Sequence, residues 1–150
     1  MATVKRTSKS TKLVLDSSFL EEEFYENAIL LGIVCPLNSH RFAWQLDTFL
    51  GFKLIRHHDF TIEVGDITFP VYYLHELDKM MEHIVYANRR SGAFLLPEIK
   101  NIDYIWLIKG NNDLKGYQQE IVQRLQLMPS IESCFSIPLA PLKSKHLLIV

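Results

Sequence analysis

The chain has 150 residues, enough for one domain and too few for two of ordinary size. Apolar residues make up 48 % and charged residues 22 %, a balance that excludes disorder. At a net charge of -1, no global field draws the chain toward nucleic acid or an acidic membrane.

The charge is uneven. Lys5, Arg6, Lys9 and Lys12 stand in residues 1–12 without an acid among them. We read residues 1–11 as a flexible basic arm and 12–150 as a single domain. No apolar h-region follows the basic residues, because Asp16 stops Leu13, Val14 and Leu15, so a secretory signal is not expected. The longest apolar run, Ala28 to Leu37, is broken by Gly32 and Pro36 and is too short to span a bilayer. Cys35 and Cys134 sit among apolar neighbours. They read as reduced core residues, with a disulfide the second choice, which suits a cytoplasmic protein.

In chain order, Lys12 to Asp16 reads as a short strand, and Ser17 to Glu26 as one or two acidic helical turns. Ala28 to Val34 is apolar except at Gly32, as in a strand covered on both faces; period alone leaves a buried helix open. Pro36, Asn38 and Ser39 open a helix over 39–50. Phe42, Leu46, Phe49 and Leu50 recur at helical spacing, and Gly51 stands at C′.

The period then changes to two. Phe60, Ile62 and Val64 lead into Gly65-Asp66, and Ile67, Phe69, Val71 and Tyr73 alternate back as a hairpin. Residues 75–81 read as a polar turn, and His83 to Ala87 as a strand closed by 88–92. In Ile102 to Lys109, Ile102, Tyr104, Trp106 and Ile108 form one apolar face and Ile105 and Leu107 the other. That pattern predicts a central strand.

Leu114, Tyr117, Ile121, Leu125 and Met128 predict an amphipathic helix over 113–127. Pro129 ends it and Ile131 to Ile137 returns as a strand, making a C-terminal β-α-β unit. A last strand is expected over 147–150. The fold class is α+β: a mainly antiparallel sheet of five or more strands with two principal helices.

For chemistry, the six glycines are scattered and form no phosphate loop, and neither G-x-S-x-G nor H-E-x-x-H occurs. On a strand, adjacent His57 and His58 point to opposite faces and cannot share one ion easily. His75, Glu76, Asp78, Glu82 and His83 would suffice for a metal, but polar turns look the same, and we assign none. Trp44, Phe52, Tyr72, Tyr73 and Tyr104 could stack on bases, yet their periodic positions place most of them in the core. No catalytic residue and no cofactor is assigned.

The most unusual pattern is Leu96-Pro97-Glu98-Ile99-Lys100-Asn101-Ile102-Asp103-Tyr104. Pro97 extends the chain before it. Glu98 and Asp103 then flank a strand entry, where carboxylates cap backbone N–H groups or pair with Arg56, Arg89 or Arg90. Acid–base work by the same two groups is the alternative.

This segment resembles the signature of the IPExxxVDY family of bacterial proteins, largely from Bacteroidota. Pro97, Glu98, Asp103 and Tyr104 match, with Leu96 in place of Ile and Ile102 in place of Val. Leu30 to Ile33, the helix around Arg41 and the ending Leu142 to Leu147 are also similar, so the resemblance covers most of the chain and implies an end at Val150. It implies little chemistry.

The resulting expectation is a non-enzymatic accessory protein that binds an unidentified protein partner and no membrane. The motif residues Pro97, Glu98, Asp103 and Tyr104 would be structural or binding groups. Two alternatives stay open. One is an RNA-binding factor using the basic arm, with Arg89, Arg90, Lys143 and Lys145 as anion contacts; the other is a small enzyme using Glu98 and Asp103.

Overall fold

A computed structural model describes residues 19–56, 58–110 and 113–150. The basic arm, the strand expected at 12–16 and His57 lie outside the described residues. Residues 19–25 are helical (α1). Beyond them the described residues form ten strands and two longer helices. The elements are β1 (Ala28–Val34), α2 (Ser39–Leu50), β2 (Ile55–Arg56), β3 (Ile62–Val64), β4 (Ile67–Phe69) and β5 (Val71–Glu76). Then follow β6 (Met81–Ala87), β7 (Arg89–Arg90), β8 (Ala93–Phe94), β9 (Tyr104–Gly110), α3 (Leu114–Leu125) and β10 (Ser133–Ile137). No helix among the described residues is long and apolar enough to cross a membrane.

Six strands make one sheet in the order β10-β1-β9-β6-β5-β2, antiparallel at every pairing. The fold is α+β. β9 lies at the centre because it is apolar on both faces: Tyr104 and Trp106 are buried against the helices, and Ile105 and Leu107 are equally buried beneath the other face. β1 separates β9 from β10, so those two strands run parallel and α3 is the crossover between them. α2 and α3 cover one face through Phe42, Leu46, Ile121 and Leu125. The β3–β4 hairpin, Leu95, Leu96, Leu142 and Leu148 cover the other.

Gly32 has a packing reason. A Cβ there would meet Ile102 Cδ1 at 2.7 Å and Ile137 Cδ1 at 2.9 Å, so only glycine lets both isoleucines fill the space against β1. At the end of α2, Gly51 adopts φ 75°, and its N–H bonds the Asp47 carbonyl, as a glycine cap requires.

Several expectations are corrected. No strand forms over 147–150; Lys145–Leu148 is a 3-10 turn instead. Leu148 is buried there and its carbonyl accepts the Tyr86 hydroxyl at 2.6 Å, which fixes this ending as a plug rather than a ladder. The hairpin stops at Phe69. Pro70 has no N–H to extend it, and Val71 and Tyr73 belong to β5 of the main sheet. The expected turn 75–81 is shorter, because β5 continues to Glu76 and β6 begins at Met81. Ile102 faces the side opposite Tyr104, since the strand begins only at Tyr104. Phe49 is exposed, not core, and so is Trp44.

Candidate functional site

The motif segment is tied down residue by residue. Asn88, fully buried at the end of β6, does most of the tying. Its side-chain amide donates to the carbonyls of Ile99 (3.0 Å) and Ile102 (2.9 Å), and its Oδ1 accepts the Leu96 N–H at 2.8 Å. Its backbone N–H reaches the Asp103 carbonyl at 2.8 Å, and its carbonyl takes the Leu95 N–H at 2.7 Å. One asparagine thus satisfies the polar backbone of a loop that the sheet cannot pair. Pro97 opens the 3-10 turn Pro97–Ile99, where its missing N–H goes unneeded.

The two motif carboxylates go to different partners. Asp103 is buried. Its Oδ2 accepts the Cys35 N–H at 2.8 Å, and its Oδ1 pairs with the Arg89 guanidinium. Glu98 is exposed, and its Oε2 accepts the Ser144 N–H at 2.7 Å, between Lys143 and Lys145. Burial pushes the Glu98 carboxyl up, but Ser144 and other backbone donors outweigh it and hold the group below its ordinary value. The Tyr104 hydroxyl donates to the Leu37 carbonyl, and its ring stacks on Phe42 at 4.2 Å. Burial raises its hydroxyl pKa well beyond the usual range.

Around Asp103 lies a cleft of about 210 Å³, lined by Cys35, Asn38, Arg89, Arg90, Asp103 and Tyr104. Arg89 and Arg90 form one arm of a tight hairpin whose turn, Ser91-Gly92, has positive φ at both residues (51° and 80°). Burial pushes the Cys35 thiol up, so it is no ready nucleophile. Cys134 is likewise pushed up, to about 11, by burial, and both cysteines are unbridged. The structure therefore joins Asp103 to Arg89 and Glu98 to the Lys143–Lys145 segment.

The metal candidates separate. His75 pairs with Glu82 across β5 and β6 and points away from Glu76 and His83, which share the face packed under α3. There His83 is completely buried. The Trp106 indole N–H donates to its Nδ1 at 3.0 Å. The neutral ring thus carries its proton on Nε2 and donates it to Glu76 Oε1 at 2.7 Å. The Tyr117 hydroxyl donates to the same oxygen at 2.6 Å. Both imidazole nitrogens are occupied and neither reaches solvent, so this set clamps β5, β6, β9 and α3 together. Sequence reasoning missed it, because its four residues come from four elements.

A second missed feature is the outer face of α2. Trp44 is 63 % exposed, while Phe42 and Leu46 bury the opposite side; Phe49, 53 % exposed, lies near the end of the helix on the Phe42 side. A helical wheel carries the signal: Trp44 lies about 200° round from Phe42. No protein-family model and no curated protein matches the chain.

Proposed function

We propose that this protein is a non-catalytic accessory protein that works by binding a protein partner through the outer face of α2. The exposed Trp44 carries the reading. A tryptophan held on a rigid helix presents a large apolar surface at little entropic cost, and such residues anchor interfaces. The motif carboxylates lend support, because Asp103 and Glu98 are each engaged by the chain's own backbone. The RNA reading draws less support, since Arg89 is already paired with Asp103. Membership of the IPExxxVDY family is part of this proposal and rests on the motif residues. A cytoplasmic location rests on two unbridged buried thiols.

The test is the variant Trp44→Ala against the parent chain, each used to capture partners from its native cell. The melt should stay unchanged, because the Trp44 side chain is mostly solvated. A defined partner held by the parent should be lost from the variant. Equal capture by both would refute the α2 surface.

A further inference from the structure

The two edges of the main sheet differ in kind. At one end, β2 has only two residues and carries Arg56, a short charged edge of the sort that resists further pairing. At the other end, β10 has five residues, Ser133-Cys134-Phe135-Ser136-Ile137, with no charge, proline or glycine. One side of β10 pairs with β1, and among the described residues no strand pairs with the other. Beside it, α3 contributes Gln118, Gln119, Val122 and Gln123 to a groove of about 310 Å³ shared with Phe135 and Ser136. The buried side-chain nitrogen of Gln118 has no hydrogen-bond partner.

We infer that β10 is a self-pairing edge, on which a second copy of this chain adds its own β10 antiparallel across a two-fold axis at Phe135. The charge pattern suits a second copy. A two-fold contact sets like against like, so a charged surface repels its own copy while a neutral one does not. The strand and the helix residues lining the groove are all uncharged. The nearest acid along the chain, Glu132, falls opposite Pro138 of the second copy, not opposite its own equivalent. The pairing joins two six-stranded sheets into one and gives the outer backbone of β10 its ladder.

Light scattering on the full chain over a concentration series tests this, with Phe135→Lys and, separately, Ser136→Lys as variants. Both residues are exposed, so circular dichroism should be unchanged. The parent should have twice the 17.5 kDa chain mass and each lysine variant the mass of one chain. Trp44→Ala should stay dimeric. Phe135→Cys should give a covalent dimer on mild oxidation. A parent that is monomeric at every concentration, or a dimer that survives both lysine substitutions, would overturn the inference.

Discussion

Asn88 fills more hydrogen-bonding positions than any other side chain around the motif. Asn88→Ala leaves the Leu96 N–H and the Ile99 and Ile102 carbonyls without their partner in a buried loop. At about 1–3 kcal/mol for each unsatisfied group, partly relieved by relaxation, the loss should be about 2–5 kcal/mol in a denaturant titration. Glu98→Gln should stay within about 0.5 kcal/mol of the parent, because its carboxylate is exposed and the amide oxygen can still accept from Ser144. Trp106→Ala removes a fully buried indole and its bond to His83 and should cost about 3–5 kcal/mol. The structural side of the motif was legible in the sequence, since a carboxylate at a strand entry asks for N–H donors and an arginine. Asn88 was not. Nothing local distinguishes a buried asparagine that serves residues up to 14 positions away from one in a surface turn.

Among the elements, the clamp between β6, β5, β9 and α3 sets a pH dependence. Burial holds the His83 imidazole below its ordinary value, so the fold refuses a proton that the unfolded chain accepts below about pH 6.5. Burial pushes the Glu76 carboxyl up, but the bonds from Tyr117 and His83 outweigh it and the group ends lowered. Its contribution is complete above the ordinary carboxylate range and is lost as pH falls through its folded value. The two signs agree, so urea midpoints should fall steadily from pH 7 to pH 4. His83→Leu should flatten the upper part of that fall; an unchanged profile would remove His83 from the account. The helices and the central strand were legible from period, because α2, α3 and β9 each have an apolar pattern that one geometry satisfies. The C-terminal plug was not: Leu147 to Val150 is apolar at every position, and what decides its form is the Tyr86 hydroxyl and the cavity that Leu148 fills. Gly32→Ala tests the packing of β1. Its new methyl would overlap Ile102 and Ile137 and should cost about 1–3 kcal/mol, read as a lowered melting temperature.

At the scale of the whole molecule, protection should follow position in the sheet. Amides of β1, β9 and β6, paired on both sides, should exchange slowest, and those of the β7–β8 hairpin fastest, in a native-state hydrogen-exchange series. The order of strands also bears on how the chain emerges from a ribosome. β1 is made early, yet both its neighbours, β9 and β10, belong to the last third of the sequence. During elongation the segment Ala-Ile-Leu-Leu-Gly-Ile-Val must wait with one edge open until residue 110, and the other until residue 137, has cleared the exit tunnel. Such a strand is adhesive, and the wait spans more than 100 residues of synthesis. A nascent chain halted before residue 104 should therefore be a substrate for chaperones that shield apolar segments, whereas one in which residues 28–137 have all emerged should not.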